Sequence, residues 1–277
     1  MNKYLFATTT VLAFGIGLIG SANAVTFTGP SSYQCFDSAQ SGGTTNLGSI
    51  ADSSVGAPAH QLGAFSGTCA NQSPFANVPN SPGVTWFFVE DFEDGLLNTP
   101  AISANNGGVI PSFPGQFGGS IDSVDADDGV VDGSGVGGHT WFINLGTAGV
   151  TFEFDETNPA LNGLFPTHAG LVWTDGNDVT VTFEAFDPFG NSLGSITSGG
   201  FADGNAFNGN TLEDRFFGVI DEGGIGSINI RANGGGNGLE VDHVQFGRLV
   251  NVPEPGALAL LGAGLLGLGL IRRRRRS

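Results

Sequence analysis

The stretch VTVTFEAFD at residues 179–187 determines the fold class. Apolar and polar residues alternate along it: the apolar positions are Val179, Val181, Phe183 and Ala185, and the polar positions are Thr180, Thr182 and Glu184. A period of two residues is typical of a β-strand that buries one face. The stretch therefore predicts a half-buried strand.

Similar apolar runs recur from residue 83 onwards, separated by clusters of Gly, Asp and Asn. They are residues 84–90, 139–145, 150–155, 170–174, 215–220, 226–232 and 239–246. No helical period is present between residues 25 and 250, and the 47 glycines oppose long helices at about 1 kcal/mol each relative to Ala. Short strands separated by turns predict an all-β fold, an antiparallel jelly-roll-like β-sandwich over residues 83–250.

The first 24 residues have the three parts of a secretory signal peptide. Lys3 supplies a positive charge, residues 5–20 are mostly apolar, and Ala22-Asn23-Ala24 provides the small residues that precede a cleavage site. The mature protein is expected to begin near Val25.

The C-terminal residues form a second tripartite pattern. Pro253-Glu254-Pro255 is followed by an apolar stretch at residues 256–271 and by five arginines at residues 272–276. A helix of that apolar stretch would be about 24 Å long, slightly short of a hydrocarbon core of about 30 Å. We expect a C-terminal transmembrane helix whose arginines stay in the cytoplasm, which leaves the body outside the inner membrane.

Residues 251–277 resemble the PEP-CTERM sorting signal, because Pro253-Glu254-Pro255, the apolar stretch and the basic end occur in the same order. The resemblance implies that an exosortase recognises the motif and cleaves near it, in a Gram-negative bacterium that produces exopolysaccharide. It also implies an inner-membrane anchor before processing, and the cell surface or the extracellular space afterwards. A plain tail anchor is the alternative.

The body between the two signals is strongly acidic. Residues 25–251 contain 25 acidic residues and three basic ones, Arg215, Arg231 and Arg248, which leave a formal net charge of −22. A body with this charge repels nucleic acid and anionic membrane surfaces, so no nucleic-acid partner is expected. Divalent cations would be attracted, although the charge can also serve only to keep an exported protein in solution.

Residues 25–82 are rich in Ser, Gly, Asn and Pro and form a predicted extension before the sandwich. They contain the two cysteines, Cys35 and Cys69. Because exported proteins meet oxidising conditions, these cysteines are expected to form a disulfide that staples the extension. A catalytic thiol is the less favoured interpretation.

The body also resembles a recurrent ectodomain that precedes PEP-CTERM tails. The resemblance rests on residues 88–95, 122–135, 216–219 and 240–247, and on His139. That ectodomain looks like the jelly-roll sandwiches of carbohydrate-binding modules, which often hold a structural calcium between their first and last strands. No activity is implied by the resemblance.

Two acidic clusters are candidate calcium sites. The first has four carboxylates after an apolar strand together with one in the last strand: Glu90, Asp91, Glu93, Asp94 and Asp242. The second consists of Asp125, Asp127, Asp128 and Asp132, although it departs from the EF-hand pattern. Calcium binds six to eight oxygens at such loop sites. The alternatives are a solvated turn, a plain acidic loop, or an Asp242 that bonds to backbone amides.

Catalytic patterns are weak throughout. The four histidines are widely scattered and no Gly-x-Ser-x-Gly motif occurs. The three tryptophans lie in predicted strands and are expected in the core. The sequence thus favours a non-catalytic surface or matrix protein that associates with glycan or exopolysaccharide. A secreted hydrolase or lyase that acts on polysaccharide is the alternative.

Overall fold

The computed structural model describes residues 24–33, 36, 50–51, 71–92, 95–111, 124, 139–174, 180–201, 214–234 and 238–250. Most of the signal peptide, Cys35, Cys69 and residues 251–277 lie outside the described residues. No helix in the described part is long and apolar enough to span a membrane. Two short 3-10 turns occur there, Val78–Asn80 and Pro159–Leu161.

The described chain contains thirteen strands and no α-helix. The strands are β1 (Thr26–Ser32), β2 (Ile50–Ala51), β3 (Val84–Glu90), β4 (Ile102–Ala104), β5 (Gly108–Pro111), β6 (His139–Ile143), β7 (Val150–Phe154), β8 (His168–Trp173), β9 (Thr180–Phe186), β10 (Ser192–Gly199), β11 (Arg215–Ile220), β12 (Ser227–Ala232) and β13 (Leu239–Leu249). The predicted all-β class is confirmed.

These strands form two sheets in the described part of the chain. The larger sheet has the order β1-β11-β8-β13-β3-β2, with β6 also paired to β13 and β5 paired to β6. The smaller sheet has the order β10-β9-β12-β7-β4. The short β2–β3 pair is parallel, whereas the other pairs are antiparallel. The antiparallel prediction is confirmed.

The two sheets share one apolar core. In β9, the predicted inward residues Val181, Phe183 and Ala185 are fully buried. They pack in the same cluster as Phe217 and Val219 of the larger sheet. Because alternate residues of a strand point to opposite faces, the period-two pattern places one row of side chains between the sheets and the other row on the outside.

A β-bulge interrupts β13, the longest described strand. Leu239 and Val241 belong to the core, and so do Val244 and Phe246. The switch from odd to even positions coincides with a register shift against β8 between Asp242 and Gln245. His243 has a φ of 41°, which is uncommon for a residue other than glycine. The extra residue lets both halves of the strand contribute apolar side chains to the same core.

The outer face of the larger sheet is covered by an outer layer, defined here as Tyr33, Phe36, Phe75, Val78 and Val124. These side chains pack on Phe87, Val89, Val172 and Phe216 of the sheet. Four of the five come from residues 25–82, and β1 from the same segment pairs with β11. The described parts of the predicted extension are therefore integrated into the larger sheet and its cover.

Buried polar contacts attach the outer layer to β13. Tyr33 Oη lies 2.6 Å from His243 Nδ1. Gln245 Nε2 donates to Tyr33 Oη at 3.1 Å, and Ser73 Oγ donates to Gln245 Oε1 at 2.6 Å. Since buried polar groups are costly without partners, these contacts specify how the cover sits on the sheet.

We expect Gly218→Ala to destabilise the fold. Gly218 faces Gly170 across the β11–β8 pair. A Cβ at Gly218 would lie 2.7 Å from Phe216 Cε1 and 2.9 Å from Phe75 Cζ, so the aromatic cover would have to shift. Overpacking of this kind costs about 1–3 kcal/mol, measurable by denaturant unfolding.

The matched control for this substitution is Gly108→Ala, since a Cβ at Gly108 would meet nothing within 4 Å. We expect its free energy of unfolding to stay within about 0.5 kcal/mol of the wild type. Equal stabilities of the two variants would contradict the close packing of the outer layer on the larger sheet.

Candidate functional site

Glu90, from the first predicted calcium cluster, is fully buried at the end of β3. Its Oε1 accepts a hydrogen bond from Phe92 N at 3.0 Å. Its Oε2 accepts from Asn98 N at 3.0 Å and from Thr99 N at 2.9 Å. Burial raises the pKa of Glu90 above its usual value, while the amide donors act in the opposite direction. The carboxyl group anchors the loop that follows the strand.

Asp242 has a similar environment at the bulge of β13, where its side chain is fully buried. Its Oδ2 accepts from Val124 N at 2.8 Å, and its Oδ1 accepts from His243 N at 2.7 Å. Val124 is the described residue of the acidic segment that supplies the second predicted calcium cluster. Asp242 thus ties that segment to the larger sheet at one point.

The described contacts at these two carboxylates are hydrogen bonds from backbone amides. Glu90 and Asp242 lie on paired strands, with Glu90 opposite Val244. In the part of the chain that the structure describes, no three His, Cys, Asp or Glu side chains form a metal-binding group.

The other predicted ligands add little to the described geometry. Asp91 is half-buried next to Glu90. The remaining six lie outside the described residues: Glu93, Asp94, Asp125, Asp127, Asp128 and Asp132. Calcium binding at either cluster stays a prediction.

The three tryptophans lie where strand burial predicts. Trp86, Trp141 and Trp173 are 4%, 7% and 0% exposed and belong to the core between the sheets. No tryptophan of this chain is therefore a surface platform for a ligand.

The outer side of the smaller sheet forms an open face. We define the open face by the outward residues of its strands: Ser103, Thr151, Glu153, Thr182, Glu184, Phe186, Ser195, Thr197, Ser227, Asn229 and Arg231. Four of these side chains are exposed: Ser103, Glu153, Ser195 and Thr197. Most of the others are half-buried, and the face combines hydroxyl, amide, carboxylate and guanidinium groups.

Hydrogen bonds hold the planar groups of the open face in place. Arg231 NH1 donates to Glu184 Oε2 at 3.1 Å and to Asn229 Oδ1 at 3.0 Å. Asn229 Nδ2 donates to Thr151 Oγ1 at 3.0 Å, and Ser192 Oγ donates to Glu184 Oε1 at 2.8 Å. The guanidinium of Arg231 has several N–H donors in a rigid fork, and its side chain stays 39% exposed.

Phe186 gives the open face an aromatic surface. It lies two positions along β9 from Glu184 and opposite Ser227 of β12. Phe186 is half-buried and points away from the core, as its strand position requires. The polar positions of the alternating stretch at residues 179–187 already indicate one row of this face, but no motif in the sequence marks it as a site.

We expect Asp242→Ala to lower the free energy of unfolding by about 1–3 kcal/mol, because two backbone amides lose their acceptor in a buried site. Amide anchoring alone predicts the same loss in calcium and in a chelator, as measured by denaturant unfolding. Glu153→Ala removes an exposed carboxylate and serves as the control for charge alone. A loss that occurs only in calcium would contradict amide anchoring and identify Asp242 as a calcium ligand.

Comparison with known proteins identifies the C-terminal segment. The PEP-CTERM protein-sorting motif matches residues 251–276, which start directly after the last described residue, Val250. No curated protein matches the chain. The motif indicates membrane-anchored export and sorting to the cell surface, with processing by an exosortase. The chain therefore carries a PEP-CTERM sorting motif behind an all-β body.

Proposed function

We propose that this protein is a non-catalytic component of the cell surface or extracellular matrix that binds polysaccharide through the open face of its jelly-roll-like body. The observation that carries the proposal is the arrangement on that face, where Phe186 lies beside the hydrogen-bonded groups of Glu184, Asn229 and Arg231. The sorting motif supports the proposed location.

The chemistry of the open face suits sugars. The apolar C–H faces of a pyranose ring can pack on an aromatic side chain, and its hydroxyl groups need both donors and acceptors. Phe186 offers the first kind of contact, while the guanidinium, amide and carboxylate groups offer the second. Because these groups already hold each other in position, binding a sugar would require little further ordering of side chains.

The outer face of the larger sheet is covered, unlike the open face, and this difference supports the same assignment. The outer layer covers the apolar centre of the larger sheet, where Phe87 and Phe216 are fully buried. A flat ligand has no access to that centre. Among the described strands, the broad accessible surface is the open face of the smaller sheet.

The charge of the body favours uncharged polysaccharide. The open face contains one basic residue and two acidic ones, Arg231 with Glu153 and Glu184. The whole body has a formal net charge of −22. Polymers rich in uronate or sulfate would be repelled, whereas neutral glycans carry no such penalty.

We expect Arg231→Ala to weaken binding of the producing bacterium's own exopolysaccharide by about tenfold or more, since a hydrogen bond from a charged group contributes about 1.5–3 kcal/mol. Phe186→Ala should have a similar effect. Affinity electrophoresis of the exported protein in gels that contain the polysaccharide measures the change.

The control is Arg215→Ala, which makes the same change in charge on a strand of the larger sheet. We expect it to leave binding unchanged. Equal mobility shifts for Arg231→Ala and Arg215→Ala would contradict binding at the open face. Release of new reducing ends from the polysaccharide would contradict a non-catalytic role and favour a hydrolase.

A further inference from the structure

One end of the sandwich contains the point where the chain leaves towards the sorting motif. We call it the exit end and define it by Val250 and the loops at residues 155–167, 187–191 and 221–226. Gly247 of β13 faces His168, and His168 faces Ile220 of β11. Ile220 also faces Thr26. The described N-terminus and the end of β13 therefore lie at the same end of the larger sheet.

Direct contacts link the loops of the exit end to the last residues of β13. Arg248 NH1 donates to Phe165 O at 2.7 Å. Gly224 lies between two loops, because a Cβ there would be 3.1 Å from Phe165 Cβ and 3.5 Å from Pro188 Cγ. The turn that follows Pro188 is thus part of the same surface as the point of exit.

The exit end presents apolar side chains to solvent. Of the five large apolar side chains exposed in the described part of the chain, three are here: Leu164 at 39%, Phe189 at 89% and Val250 at 46%. An aromatic side chain exposed to this extent contributes little to the core of its own fold, so its apolar surface is available to a partner.

The turn that carries Phe189 is held firmly. Asp187 Oδ1 accepts from Phe189 N and from Asn191 N, each at 2.8 Å, and Asp187 Oδ2 accepts from Asn191 Nδ2 at 2.8 Å. Hydrogen bonding by Asn191 lowers the pKa of Asp187, so the carboxylate stays charged near neutral pH. Phe189 is therefore presented at the tip of an ordered hairpin.

The length of chain beyond Val250 keeps the exit end close to the membrane. Only residues 251–255 separate Val250 from the apolar stretch that starts at Gly256. Five extended residues span at most about 18 Å. The apolar stretch is also shorter than a typical hydrocarbon core, which draws the residues before it towards the lipid headgroups.

We propose that, as long as the sorting tail is in the membrane, the exit end of the sandwich rests on the outer surface of the lipid bilayer, with Phe189 and Leu164 inserted between the headgroups as far as the upper acyl chains. The partner is the bilayer itself. Apolar and aromatic side chains at an interface bury their surface among the upper acyl chains.

The contact with the bilayer depends on the sorting tail, which acts as a tether. Asp155, Asp187 and Glu222 also lie at the exit end, and the body as a whole is strongly acidic, so anionic lipids oppose the approach. The tail overcomes this by holding the exit end at a high effective concentration near the surface. Once the tail is removed, two apolar side chains do not retain the body, which then leaves the membrane for the cell surface.

Tryptophan fluorescence tests the proposal. Phe189→Trp is introduced into the full chain, which is purified from a host without exosortase and reconstituted in phosphatidylcholine vesicles with brominated acyl chains. The native tryptophans are buried and contribute a constant background. Relative to the processed protein in solution, we expect the emission of Trp at position 189 to shift to shorter wavelength, and bromine quenching to lower its intensity.

Leu145→Trp is the matched control. Leu145 is 60% exposed and follows β6 at the opposite end of the larger sheet, where Ile143 faces Leu239, the first residue of β13. At about 3.4 Å per residue, the eleven residues of β13 separate Leu145 from the exit end by roughly 35 Å. Its emission should be unaffected by bromine.

The outcomes are distinct. Quenching at position 189 without quenching at position 145 supports the proposal. Equal quenching at both positions, or no quenching at position 189, overturns it. A shift of the emission of Trp at position 189 that occurs only after an exosortase is added, without bromine quenching, would assign this surface to the enzyme and overturn the bilayer as partner. Exported, processed protein with Phe189→Trp should show no quenching with the same vesicles, and undiminished quenching would overturn the dependence on the tether.

Discussion

The bulge at Asp242 and His243 is the constraint on which the rest of the structure depends. One extra residue in β13 changes which side chains face inward, and both halves of the strand therefore contribute side chains to one core. The first half of the strand pairs with β6, and the second half pairs with β3. The polar side chains at the bulge point to the other side of the sheet. There the side chain of Asp242 accepts a hydrogen bond from Val124 N, and His243 Nδ1 is hydrogen-bonded to Tyr33 Oη. Core, cover and acidic segment thus meet at two consecutive residues.

The two outer faces of the sandwich differ in what covers them. On the larger sheet, buried polar contacts to Tyr33 and Ser73 hold an aromatic cover over the strands. On the smaller sheet, side chains such as Arg231 and Glu184 bond to each other within the face and remain partly accessible. One outer face is therefore covered by packed side chains and the other stays partly accessible, while β13 ends where the sorting segment begins.

Local pattern made part of this architecture predictable. The alternation at residues 179–187 predicted β9 and its buried face, and the three parts of the C-terminal pattern predicted the sorting motif. Even the bulge leaves a trace, since two polar residues separate Val241 from Val244 where a regular strand would have one. The contact of Tyr33 with His243 spans 210 positions, and no local pattern encodes it. The amide hydrogen bonds of Glu90 and Asp242 could not be predicted in detail, because a sequence shows acidic groups but not the backbone amides that reach them. Calcium binding at these groups stays a prediction.

Hydroxyl-radical footprinting of the exported protein, with and without the producing bacterium's polysaccharide, tests most directly the claim that one outer face is covered and the other binds. In the free protein, oxidation should be readily detected at Phe186 and nearly absent at Tyr33 and Phe75, which are 0% and 2% exposed. Polysaccharide should then lower oxidation at Phe186 and leave the other two unchanged. Ready oxidation of Tyr33 and Phe75 in the free protein, or an unchanged Phe186 when polysaccharide is bound, would contradict the account.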